Sequence, residues 1–235
     1  MLARIWHGVV AVLILVALVI QLVIAVHAAG APLAHDVGTI AGTPITGRLV
    51  RVLSFFTIQS NVLCAVTSAQ LAFNPARDGR LRRIARLDAL FGITVTGVVY
   101  STVLARIHEP NGWEQVSTNT IFHYAAPIMA VAGWVTFGPR ARVDPHTLRW
   151  ALAWPASWFL YTLAHGAITH WYPYPFVDVH SHGYLRVVIN ALLVTAVFGA
   201  IAALFSVGDR KLPARTPTRA RTGAPPSGGQ GAHDE

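Results

Sequence analysis

The chain has 235 residues, of which 54% are hydrophobic and only 12% charged, with a net charge of +8. Charged residues make up about a quarter of an ordinary soluble domain, so this composition excludes one. The positive charge sits in short clusters between apolar runs, the pattern of membrane topology and not of a nucleic-acid surface.

About 20 apolar residues cross a bilayer as a helix. By that measure the sequence predicts an all-α polytopic membrane protein, a bundle of six transmembrane helices at 6–28, 49–73, 84–107, 119–137, 148–168 and 184–207. The first run is followed by His27-Ala28-Ala29-Gly30, small residues of the kind found near signal cleavage sites. Its apolar core is longer than that of a signal peptide, so a retained helix is expected. Residues 1–207 form the predicted membrane domain. Residues 208–235, rich in Pro, Gly, Ser and Thr from Lys211 onward, form a predicted disordered basic tail.

Fourteen of the 18 Lys and Arg fall at the N-terminus (Arg4), after the second span (Arg77, Arg80, Arg82, Arg83, Arg86), after the fourth (Arg140, Arg142, Arg149) and in the tail (Arg210, Lys211, Arg215, Arg219, Arg221). The other loops and helix ends hold Arg48, Arg51, Arg106 and Arg186. The positive-inside rule then places both termini in the cytoplasm of a plasma-membrane protein.

Phe55-Phe56-Thr57-Ile58-Gln59-Ser60-Asn61, in the second span, sets four hydrogen-bonding side chains in five positions. Hydrocarbon offers such groups no partner, so they are expected to face protein or a pocket. Helical spacing gathers Ser54, Thr57, Asn61, Cys64 and Ser68 in one stripe, with Gln59 well round the helix. Thr57 would lie roughly 12 Å into the bilayer and His123, in the fourth span, roughly 7 Å. A membrane histidine is a candidate proton acceptor. The bland alternative for both is hydrogen bonding between helices. Tyr100, Ser101, Tyr161, Thr162, His165 and Asn190 fall in the same outer layer. Pro127 and Pro155 are expected to kink their spans and make room there.

Cys64 is the single cysteine, so neither an internal disulfide nor a Cys-based metal site is available. Asp178-Val179-His180-Ser181-His182 alternates three potential ligands, but no established metal motif accompanies it, and no metal or cofactor is expected.

The Phe-Phe-Thr-Ile-Gln-Ser-Asn segment, the His-x-x-x-Pro pattern from His123 to Pro127, and Trp171-Tyr172-Pro173-Tyr174-Pro175-Phe176 together resemble the androgen-induced integral membrane protein family. They are more similar still to its little-characterised bacterial six-span relatives, the Pr-six-Pr membrane proteins. The eukaryotic members are six-helix hydrolases of fatty-acid esters of hydroxy fatty acids, with an intramembrane threonine nucleophile and a histidine. The resemblance puts those roles on Thr57 and His123. Phe56-Thr57-Ile58 stands where that branch tends to have Leu-Thr-Phe, and Gln-Ser-Asn follows it.

The expected chemistry is attack on a lipid ester by Thr57 after His123 removes its proton. By depth, Asn61, Tyr100, Tyr161 and Asn190 are candidates to bind substrate and its oxyanion. The expected partners are membrane lipids and a lipid-like substrate, with no nucleic acid. The alternatives are a receptor or transporter binding a lipid-like ligand in the same pocket, and a structural subunit whose polar layer only joins helices.

Overall fold

The computed structural model describes residues 1–28, 30, 36–140 and 143–213. The helices are α1 (Leu2–His27), α2 (Ile45–Ser54), α3 (Phe56–Phe73), α4 (Arg80–Thr102), α5 (Gly112–Thr120), α6 (Ala126–Phe137), α7 (Pro145–Ala151), α8 (Ala153–Thr169) and α9 (Val179–Lys211). A π-helical turn, Ile121–Ala125, joins α5 to α6. Two short strands, β1 (Asp36–Val37) and β2 (Trp171–Tyr172), pair in parallel.

Helix α4 is the centre of the bundle. Every residue from Arg86 to Ile93 is buried, which requires neighbours on all sides of the helix. It packs against α3, α6, α7 and α9, and α1 packs against the outer side of α3. Outward faces are apolar: Val12, Leu15 and Val19 on α1 and Leu185, Leu192, Leu193 and Leu204 on α9 are exposed. Soluble monomers rarely expose contiguous surfaces of this kind, whereas a bilayer accommodates them.

Among the described residues, four helical stretches are long and apolar enough to cross a membrane: Leu2–His27, Arg80–Arg106, Gly112–Phe137 and Val179–Lys211. The second expected span is instead two helices, α2 and α3, bent by 72° at Phe55. The fifth is divided at Leu152, just before Pro155, which has no N–H to continue the ladder. Its longer part, α8, has 17 residues, about 25 Å of helix against a hydrocarbon core of about 30 Å. Helix α9 continues through Gly208, Asp209, Arg210 and Lys211, past the expected start of the tail at 208. Residues 214–235 of that expected tail lie outside the described residues.

The basic segments meet at one end. Arg4 Nε donates to the Ala72 carbonyl at 2.7 Å, and the Trp6 indole packs against Phe137. Arg140 Nε donates to the Pro213 carbonyl at 3.0 Å. At the opposite end, Arg48 donates to the Val26 carbonyl at 2.9 Å and Arg51 to the Ala41 carbonyl at 2.7 Å. Arg51 also lies over the Trp171 ring, and Trp171 Nε1 donates to the Thr39 carbonyl at 2.9 Å. Two of the arginines set apart from the main clusters therefore hold the loops of that end together.

Candidate active site

The break at Phe55 positions Thr57. Phe55 is extended (φ −68°, ψ 128°), and its ring is clasped edge-on by Trp171 and Tyr174. Ending α2 frees carbonyls that need donors. Gln59 Nε2 supplies one to Leu53 at 2.9 Å, and Trp158 Nε1 supplies one to Ser54 at 2.9 Å. Gln59 Oε1 in turn accepts from Trp154 Nε1 at 3.1 Å. The break is thus fastened by side chains from α3 and α8.

Thr57 consequently lies in the first turn of α3, where backbone N–H groups have no partner within the helix. Its N–H donates to the Tyr174 hydroxyl at 3.1 Å, and its Oγ1 lies 3.2 Å from the same hydroxyl. On its other side Oγ1 is 3.4 Å from His123 Nε2. His123 Nδ1 is 3.1 Å from the Asn119 carbonyl. A carbonyl only accepts, so Nδ1 carries the proton and Nε2 is the free acceptor. The hydrogen bonds then run one way: Tyr174 O–H to Thr57 Oγ1, Thr57 O–H to His123 Nε2, and His123 Nδ1–H to Asn119. That is the order of contacts that a nucleophile, a base and a group orienting the base would require. The Thr57–His123 contact is long, as such contacts commonly are before substrate tightens them.

His123 stands in the π-helical turn. Pro127 cannot donate to the His123 carbonyl, and the backbone just before it widens into the π turn. The Tyr100 ring stacks on the imidazole, with centroids 3.8 Å apart, and its hydroxyl lies 3.1 Å from His108 Nδ1. Burial pushes the Tyr174 phenol up to about 12, so it stays protonated and able to donate near neutral pH.

Thr57, Tyr100 and Tyr174 border a cavity of about 470 Å³ between α4, α8 and α9. Its walls are mostly apolar, with Phe56, Val95, Val99, Trp158, Phe159 and Phe198 prominent. Phe56 is stacked on Trp154 at 4.8 Å and edge-on to Trp158 and Phe198, which fixes the wall next to Thr57. The size falls within the usual range of about 300–1,000 Å³ for ligand pockets.

The other expected substrate-binding residues are not brought to this cavity. Asn61 is fully buried and donates to the Thr57 carbonyl at 2.9 Å and the Phe122 carbonyl at 3.4 Å, joining α3 to the π turn. Tyr161 is 2.7 Å from Ser54 Oγ, and Asn190 donates to the Phe176 carbonyl at 2.9 Å beside a separate recess. Tyr174 is absent from the sequence-based candidates because it lies in a loop. The string of aromatic and proline residues at 171–176 was its only signal.

Asp178 caps α9, accepting from the His180 N–H at 2.9 Å and the Ser181 N–H at 3.3 Å. This cap accounts for the acidic member of the alternating Asp178, His180, His182 group. Among the described residues no three His, Cys, Asp or Glu side chains are grouped to hold a metal ion. No family model, curated protein or solved structure matches the chain.

Proposed function

We propose that the chain is a six-span plasma-membrane hydrolase of lipid esters, with Thr57 as nucleophile and His123 as base. In this reading both termini are cytoplasmic, and α7 with α8 completes the sixth span. The observation that carries it is the directed chain Thr57 Oγ1, His123 Nε2, His123 Nδ1, Asn119 carbonyl at the edge of an apolar cavity. The resemblance of the segments around Thr57 and His123 to a threonine hydrolase family supports the same assignment.

In the proposed reaction His123 Nε2 takes the Thr57 proton as Oγ1 attacks the ester carbonyl. The tetrahedral intermediate collapses, the alkoxide leaves with the proton from His123, and an acyl-threonine remains. Water, deprotonated by His123, then releases the fatty acid and restores Thr57. Tyr174 O–H and the Thr57 N–H are the nearest donors for the oxyanion. The apolar walls suit an acyl chain.

The cavity walls suit a lipid-like ligand equally if no chemistry follows, so a binding protein is the second reading. A fluorophosphonate probe separates the two. The hydrolase reading requires covalent labelling of purified protein, with the adduct mapped to Thr57 and lost in Thr57→Ala. Saturable lipid binding with no labelling and no ester turnover supports the binding protein instead.

A further inference from the structure

The end of the bundle remote from Thr57 holds a second recess, of about 50 Å³, bordered by Thr67, Arg77, Arg82, Arg83, Arg86 and Asp209 among others. Arg86 is 9% exposed, and its Nε and Nη2 have no hydrogen-bond partner among the described residues. Its Nη1 reaches Thr67 Oγ1 only at 3.5 Å. A guanidinium does not shed its proton, so a full charge is buried here with donors unanswered. Leaving a buried charge uncompensated is strongly destabilising. The positive-inside rule explains why arginines flank these helices; it does not explain why one is sealed among them with idle donors.

The neighbouring carboxylates do not answer it. Asp78 is held by Arg83, at 2.6 Å and 3.0 Å. Asp209 accepts the Val143 N–H at 2.8 Å. Asp88 is two residues along α4, and that spacing turns it to another side of the helix. Among the described residues, four arginines thus border the recess against one engaged carboxylate.

We propose that this recess binds a phosphate group. Arg86 Nε and Nη2 form a planar fork that matches two phosphate oxygens, and Arg82 and Arg77 supply charge at the rim. The volume is somewhat more than the roughly 30 Å³ share of one water molecule, enough for the tip of a phosphate and too small for a nucleotide. Inorganic phosphate and the phosphomonoester headgroup of a membrane lipid carry the same chemistry. The site is separate from the Thr57 cavity and does not depend on the hydrolase reading.

Thermal unfolding of the full-length protein in detergent, followed by tryptophan emission, tests this. The probes are sodium phosphate against sodium chloride at matched ionic strength, and dioctanoyl phosphatidic acid against dioctanoylglycerol. A saturable rise in midpoint with either phosphate-bearing probe, absent with its control, supports the site. A rise with phosphatidic acid alone assigns a lipid headgroup, and a rise with inorganic phosphate assigns a soluble anion. Arg86→Gln should abolish the rise. Arg82→Gln, at the half-buried rim, should weaken the apparent affinity about tenfold, as expected for one lost charge-assisted hydrogen bond, and decides the matter if Arg86→Gln does not fold. No rise with either probe, or an undiminished rise in the Arg82→Gln protein, overturns the proposal.

Discussion

The Tyr174 hydroxyl meets Thr57 twice, accepting its backbone N–H at 3.1 Å and lying 3.2 Å from its Oγ1. A loop side chain therefore stands beside Thr57, within reach of an oxyanion that would develop next to Oγ1. If Tyr174 donates to that oxyanion, Tyr174→Phe lowers kcat for ester hydrolysis by about 100-fold and changes KM little, in line with loss of one oxyanion donor. Steady-state kinetics on a soluble-chain ester checks this. An unchanged kcat would remove Tyr174 from the reaction.

Thr57 and His123 should behave as one unit. Thr57→Ala and His123→Ala are each expected to abolish most hydrolysis, and the double variant to be little worse than either, because coupled catalytic residues are strongly non-additive. The base must be neutral to accept the hydroxyl proton, so the wild-type rate falls as pH is lowered and His123 becomes protonated. Additive losses in the double variant would separate the two residues.

Gln59 fastens the break between α2 and α3 from the side of the helix away from the Thr57 stripe, bonding Leu53 and Trp154. Gln59→Leu removes both bonds and is expected to cost about 1–2 kcal/mol, at an average near 0.6 kcal/mol for each hydrogen bond within a membrane protein. Loosening the break also re-aims Thr57, so ester hydrolysis should drop with it. Denaturation in detergent and turnover, measured on the same preparation, test the two parts separately.

The orientation is tested with single cysteines in a Cys64→Ala background, Cys64 being buried. Arg80 and His182 are exposed and belong to opposite ends of the bundle. On intact cells an impermeant thiol reagent should label His182→Cys and spare Arg80→Cys. The reverse pattern would invert the proposed topology.

Apolar length alone located the helical stretches, because every backbone polar group in lipid has to be satisfied within a helix or a closed barrel. The arginine clusters likewise marked which segments share an end, where Arg4 bonds the Ala72 carbonyl and Arg140 the Pro213 carbonyl. Thr57 and His123 were legible as a pair because polar groups in an apolar run are rare enough to stand out. What the sequence did not disclose is the break at Phe55: no proline or glycine marks it, and it is held by Gln59, Trp158, Trp171 and Tyr174, most of them more than 90 residues away in the chain. The tertiary structure also decided that Asn61, placed by spacing beside Thr57, bonds backbone carbonyls, while Tyr174, from a loop, reaches the threonine. Helical periodicity fixes which residues share a face of one helix. It carries no information about which distant side chain, on another segment, will satisfy the N–H and C=O groups that a break leaves open.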